Sequence, residues 1–329
     1  MRAIYLWHWR VTMSRLLITM AEDVEKSTAS EFALKYSVDE YDSLHFAQSL
    51  KELGHHVYFV NWRDLLIDLP SASRFDRMYS YNDECFVAPV ALLDFDLVFV
   101  YKMEGFYRDS QRFNDMLSCF SHCKVINDIG TIKHNFNKSY LWQLQERDVR
   151  IIPSFKVCDI KDRLSQGERF VVKPLCGERG NEIFLANQPL DLFSIEGCED
   201  AFFAQQFMPE IWQGERSLVF LGDQFQHAVI KLPSRANQSE FRCNESLGGT
   251  VDVYEATEQE INFAKRVLRV YEGLGYPAHF SRVDILSVEG FPMLLEAELL
   301  NPSMYANYSK KGEAFGKQLA LYFDRFIKN

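Results

Sequence analysis

Two short apolar runs, residues 283–286 and 293–299, flank Glu289-Gly290 and carry three carboxylates, Asp284, Glu296 and Glu298. The runs read as β-strands and the dipeptide as the turn of a hairpin. Side chains alternate along a strand, so Glu296 and Glu298 share a face. A turn centred near Gly290 brings Asp284 almost opposite Glu296. Three carboxylates on one face repel one another unless a cation lies between them. Oxygen donors with no Cys or His nearby favour Mg²⁺ or Mn²⁺. A generic acidic hairpin is a solvated surface; the apolar neighbours and the residues upstream weigh against that here.

The chain of 329 residues is 47% hydrophobic and 25% charged, the balance of an ordinary globular protein with two or three domains. A net charge of −10 gives no support to nucleic-acid binding, although a local basic cleft still suits phosphate. The seven cysteines are scattered without a CxxC pair and read as reduced thiols of a cytoplasmic protein. Cys119 and Cys123, with His122 between them, read as core thiols, not metal ligands. No run approaches a transmembrane helix, and no membrane partner is expected. Residues 1–12 lack the features of a signal peptide and read as an extension or a start-site artefact.

In chain order, Leu16-Leu-Ile-Thr-Met20 looks like a first strand. A helix over 39–53 has Tyr41, Leu44, Ala47, Leu50 and Leu53 on one side and stops at Gly54. His55 and His56 read as surface. Strands are expected at 57–60, 97–101 and 124–126, a helix at 111–119, and irregular chain at 68–90. Trp62 and Tyr101 suit either a pocket or the core. Strands alternating with helices imply parallel βαβ units. Lys138 falls in the first turn of a short helix. Lys173 ends an apolar strand, where a lysine is costly to bury without an anionic partner. Gly177 and Gly180 follow it, and two glycines three apart let a backbone pass close to a phosphate; an ordinary hairpin turn also fits. Residues 216–221 and 224–231 form a hairpin around Gly222-Asp223. Arg242 and Asn244 alternate on an extended segment. Thr257 to Glu260 is a capping box that opens a helix. A final helix covers about 311–326.

Lysines and an arginine upstream of three acids suit a polyphosphate bridged by divalent metal. In this order the residues resemble the ATP-grasp superfamily, in the branch that includes glutathione synthetase, the ribosomal-protein glutamate ligases and the D-cycloserine biosynthetic ligase. The resemblance covers about 136–305 and extends more weakly into the N-terminal region. It implies an α/β fold, α+β in the C-terminal half, in which a Rossmann-like pre-ATP-grasp domain (13–135) precedes a small lid subdomain (136–210) and a catalytic subdomain (211–329).

The resemblance also implies roles. Lys138 and Lys173 match the nucleotide lysines, and Gly177 to Gly180 the loop that closes over the triphosphate. Gln205, Gln206, Phe207 and Met208 match the hinge that reads adenine, and Glu215 the acid on the ribose. Lys231 stands where many relatives have Arg. Arg242 and Asn244 match the Arg-x-Asn segment that faces the transferring phosphoryl and acyl groups. Asp284 and Glu296 match metal ligands, and Glu298 replaces the family's common Asn. The implied cofactors are ATP and Mg²⁺ (or Mn²⁺). The implied reaction joins a small carboxylate and an amine through an acyl phosphate, in a dimer or tetramer. Asp284→Asn and Glu296→Gln are expected to fold and to lose ATP turnover. The alternatives are a ligase for a peptide or protein substrate, a regulatory ATP binder, or a plain α/β binding protein with a solvated acidic hairpin.

Overall fold

Leu16, Leu17 and Ile18 are fully buried. A strand covered on both faces reads as an uninterrupted apolar run, and this one lies in the middle of a sheet. The computed structural model describes residues 14–20, 41–66, 74–75, 78–87, 91–103, 105–236, 239–309 and 313–328. The expected extension at 1–12, the segment 21–37 and the start of the first helix lie outside them.

The first sheet is built from β1 (Arg15–Met20), β2 (His56–Asn61), β5 (Met78–Ser80), β6 (Cys85–Val87), β7 (Leu97–Phe99) and β8 (Val125–Ile126); β3 (Leu65–Leu66) and β4 (Arg74–Phe75) pair apart from it. Its order is β6-β5-β2-β1-β7-β8, with β2, β1, β7 and β8 parallel. The β5–β6 pair occupies a stretch expected to be irregular. Its three-residue strands are too short to show a period in sequence. Helices α1 (Tyr41–Glu52) and α2 (Ser110–Cys119) accompany this sheet. Trp62 and Tyr101 resolve as core: Trp62 packs edge-on against Phe113, and Tyr101 stacks on Phe99.

Two short helices follow, α3 (Ile129–Asn135) and α4 (Tyr140–Gln145). Lys138 lies just ahead of α4, not inside its first turn. The Asn137 side chain accepts the Ser139 N–H at 2.9 Å, and the Lys138 N–H donates to the Leu175 carbonyl at 2.8 Å. An Asn that bonds the backbone two residues on competes with helix, so the helix starts later.

The second sheet has the order β11-β10-β12-β9, from β9 (Ser154–Lys156), β10 (Phe170–Pro174), β11 (Phe184–Ala186) and β12 (Phe202–Gln206), all antiparallel. Helix α5 (Lys161–Ser165) lies between β9 and β10. Along β10, Phe170 and Val172 enter a small core with Leu164, Leu192 and Ala204. The alternation of a strand then turns Val171 and Lys173 to the other face.

The third sheet, β15-β14-β13-β16-β17, is antiparallel and comprises β13 (Glu215–Leu221), β14 (Gln224–Leu232), β15 (Thr250–Tyr254), β16 (Phe280–Val288) and β17 (Phe291–Glu298). The expected hairpin is present, and Asp284 pairs with Glu296. One face carries Leu218, Phe220, Val283, Ile285 and Ala297 against Ala264, Val267, Leu268 and Tyr271 of α6 (Glu258–Gly273). Thr257 and Glu260 cap that helix reciprocally, at 3.2 and 2.8 Å. The opposite face is left for the polar residues.

Two clamps fix the tip of β17. Tyr140 Oη donates to the Ala297 carbonyl at 3.0 Å and accepts its N–H at 2.9 Å. Asn135 Nδ2 also donates to that carbonyl at 2.8 Å, and Asn135 Oδ1 accepts the Leu299 N–H at 2.8 Å. Ala297 lies between the two glutamates, so these bonds set where both acids point. Asn127 ties the first sheet to β16 by accepting the His279 and Phe280 N–H groups at 2.7 and 2.9 Å.

The last helix, α7 (Glu313–Lys328), packs on α1, with Phe46 and Phe323 edge-to-face at 4.8 Å. His55, expected on the surface, is buried: its Nε2 bonds Asp324 Oδ1 at 2.9 Å. The partner lies far along the chain, so no local pattern announces it. Among the described residues no helix is long and apolar enough to cross a membrane.

Candidate active site

The second and third sheets face each other across a cavity of about 430 Å³. Every site residue expected from the sequence lines it, from Lys138 and Lys173 through the glycine loop and the hinge to Glu298.

On the third sheet, cross-strand register explains the grouping. Glu215 is paired with Lys231, Ser217 with Asp284, Asp284 with Glu296, and Arg282 with Glu298. Arg282 is the residue the sequence reading missed. Its Nε and Nη2 donate to the two Asp284 oxygens, both at 2.8 Å, and Nη2 also reaches Glu298 Oε1 at 2.5 Å. The cation required between the carboxylates is thus, in part, a guanidinium. Lys231 pairs with Glu215 and lies 3.6 Å from Asp284, while Ser217 Oγ donates to Asp284 Oδ1 at 2.6 Å. Lys138 Nζ lies 3.2 Å from Glu296.

These contacts set the protonation of the wall. Burial works against the Asp284 carboxylate, but Arg282 and Lys231 hold its pKa well below the usual carboxylate range. Burial pushes the Glu298 carboxyl up to about 7 despite Arg282, with Glu296 and Asp284 adding repulsion. Burial alone would depress Lys231, yet Asp284 and Glu215 keep it firmly protonated.

The donor set is suited to a hard cation, being oxygen throughout. Among the described residues, however, no three acids, histidines or cysteines stand close enough to hold a metal as they are. The side chains of Glu296 and Glu298 are 26% and 27% exposed to the cavity, whereas that of Asp284 is 3% exposed and taken by its partners. The glutamates fit as accessible metal donors, and Asp284 fits as the acid behind them.

The facing wall carries Lys173, buried, with Nζ bonded to the neutral Gln205 Oε1 at 2.5 Å. Burial lowers its pKa, and the acids across the cleft oppose this only in part. The glycine loop closes over the cavity. Lys138 Nζ donates to the Gly177 carbonyl at 2.8 Å and Arg242 Nη1 to the Gly180 carbonyl at 2.9 Å. Gly180 has φ +71°, and a Cβ there would lie 2.9 Å from Asn244 Oδ1. A Cβ on Gly177 would lie 2.8 Å from Pro174 Cγ. Both positions therefore make close approaches that a side chain would crowd, and the positive φ at Gly180 favours glycine, which a two-glycine spacing alone does not establish. Arg242 is held in a fork by Glu240, Nε at 2.8 Å and Nη2 at 2.7 Å. At the apolar end, Ile152, Ile211 and Leu286 pack with Phe207 and Met208 beside the hinge.

Residues 137–296 match the family of the prokaryotic glutathione synthetase ATP-grasp domain. The chain is 25% identical over 144 residues to the glutathione synthetase of Synechococcus elongatus, which covers 42% of this chain and 43% of that protein. It is 24% identical over 211 residues to the probable alpha-L-glutamate ligase of Chromohalobacter salexigens, covering 61% of this chain and 67% of that one. The match thus spans under half the length of the first of these relatives. In fold, the chain is similar to a D-cycloserine synthetase, with a TM-score of 0.71 at 18% identity, over 95% of this chain and 99% of that one. The family match begins at Asn137, next to Lys138, and ends at Glu296 on the acidic hairpin, so the part of the chain that is similar to an ATP-grasp domain brackets the cleft itself.

Proposed function

We propose that this protein is an ATP-dependent carboxylate–amine ligase that acts on a small, amino-acid-like substrate. The observation that carries the reading is the single cavity in which a buried lysine and a glycine loop face an acidic hairpin. The chain divides accordingly at about 135 and 210, into an N-terminal domain, a lid and a catalytic part.

The apolar slot of Ile152, Ile211 and Leu286 suits adenine. The hinge N–H groups of Gln206 and Phe207 already donate to the Pro153 and Arg169 carbonyls, so reading of the adenine edge falls to Met208 and the hinge carbonyls. Glu215 faces the ribose. Lys173 and Lys138 bind phosphate oxygens, with Gly177 to Gly180 closing above them. Glu296 and Glu298, backed by Asp284, are the residues that would hold Mg²⁺ (or Mn²⁺). The metal, when bound, neutralises the triphosphate.

In this reading a substrate carboxylate oxygen attacks the γ-phosphorus, the bond to the leaving ADP oxygen breaks, and an acyl phosphate forms. An amine nitrogen then attacks the acyl carbon. The bond to phosphate breaks, phosphate leaves, and the amine proton passes to solvent. The protein contributes position and charge more than proton transfer. Arg242, oriented by Glu240, and Asn244 face the transferred group, and Lys231 and Arg282 balance the acids. A cavity of about 430 Å³ falls within the range of small-molecule sites. The free cysteines suit a cytoplasmic setting.

The test is ADP release from Mg²⁺-ATP across pooled small carboxylates and amino acids, with hydroxylamine present. Substrate-dependent release with a trapped hydroxamate is expected. ATP binding with no release in any pool would count against the reading.

A further inference from the structure

The glycine loop is held on both sides of the cleft. Beyond its contacts with Lys138 and Arg242, it reaches the N-terminal domain through Glu178. Glu178 Oε1 accepts the Gly105 backbone N–H at 2.6 Å, and Oε2 accepts the Asn301 amide at 3.1 Å. Neither donor is placed by the loop. Asn301 follows the acidic hairpin, and its Oδ1 accepts the Met103 N–H at 3.1 Å, which turns its Nδ2 toward Glu178. Gly105 has φ +72°, and a Cβ there would lie 2.5 Å from Arg63 Nη2. The left-handed backbone that presents this N–H favours glycine.

One backbone and one oriented side-chain donor, from segments far apart in sequence, therefore converge on the two oxygens of one carboxylate. Lys102 and Phe106 line the same corner of the cavity, which is continuous with the acidic hairpin. The carboxylate in the cradle is carried by the loop between Gly177 and Gly180, and the donors come from outside that loop, from Gly105 and Asn301.

We propose that the Gly105 N–H and the Asn301 amide form a binding site for a carboxylate group of the substrate, and that Glu178 is its internal occupant. Entry of the substrate displaces Glu178 and releases the N-terminal side of the loop. The proposal rests on the ligase reading for calling this ligand a substrate. Its test needs neither ATP nor turnover.

Arg179, next to Glu178, is exposed, and trypsin cleavage after it yields fragments 1–179 and 180–329. Cleavage of the native chain reports opening of the loop. Glutarate is the probe, set against sodium chloride of equal ionic strength to remove screening effects. In the unmodified protein glutarate accelerates cleavage, and chloride does not. Glu178→Gln is cleaved about tenfold faster from the start, since a charge-assisted contact is lost, and does not respond to glutarate. Asn301→Ala behaves in the same way, with a melting curve to confirm that it is folded. A Glu178→Gln protein cleaved at the original rate would overturn the proposal, as would an unmodified protein indifferent to glutarate. Either result leaves the ligase reading standing, and a failed hydroxamate assay leaves this one standing.

Discussion

The two walls of the cleft treat charge in opposite ways. On the lid wall, Lys173 is 9% exposed and its close partner is a neutral amide. On the hairpin wall every acid meets a protein cation: Asp284 meets Arg282 and Lys231, Glu298 meets Arg282, and Glu296 meets Lys138. An ammonium buried without a counter-charge costs stability, and is retained where an anion will arrive. A compensated network costs less at rest, and exchanges partners when a ligand enters. In the proposed reading this difference suits the lid wall to phosphate and the hairpin wall to cation exchange.

The sharpest way to break this comparison is Glu296→Gln. Its pair with Lys138 is partly exposed, so unfolding stability should change by less than about 1 kcal/mol. ATP turnover should fall roughly 1,000-fold, the size seen when charge stabilisation at a reacting group is removed. ADP release and urea melts measure both, and retained turnover would detach the hairpin from the reaction. Asp284→Asn behaves differently. The sequence suggests a folded, inactive variant, but this acid is buried between two cations that would stay buried with one anion fewer. A loss of about 3 kcal/mol or more in urea is expected. An unchanged midpoint would mean that the wall is not held by this network.

Lys173→Met sharpens the comparison from the other side. ATP affinity measured by calorimetry should weaken about 100-fold. The melting temperature should stay level or rise, because no acid loses a close partner. A drop in both would make Lys173 a structural residue.

The smallest effect lies outside both walls and serves as a control. Burial opposes the Asp324 carboxylate, but bonds from Lys328 and His55 hold its pKa below the ordinary 3.8. A depressed acid contributes stability that is complete above its unfolded pKa and is lost as pH falls through the folded value. Asp324→Asn should cost about 1 kcal/mol at pH near 7, and this difference should shrink in acid below the unfolded pKa. Turnover should not change. An equal loss at both pH values would place the effect in packing.

The acidic hairpin, its register and the capping box at Thr257 were legible because strand alternation and capping are local rules. Arg282 was within reach of the same rule. Two residues before Asp284 on one strand, it shares that face. Glu178 and His55 carried no such signal. Their partners lie 73, 123 and 269 residues away, and only the folded chain brings them together. The β5–β6 pair was hidden for another reason, since strands of three residues complete too little of a period to be seen.

The central claim is that both walls act on one nucleotide. Diffraction from crystals grown with Mn²⁺ and a non-hydrolysable ATP analogue tests it most directly. The expected result is adenine beside Phe207 and Met208, phosphate oxygens on Lys173, and anomalous manganese density against Glu296 and Glu298. A nucleotide bound outside the cleft, or bound within it with no metal at the hairpin, would contradict the account.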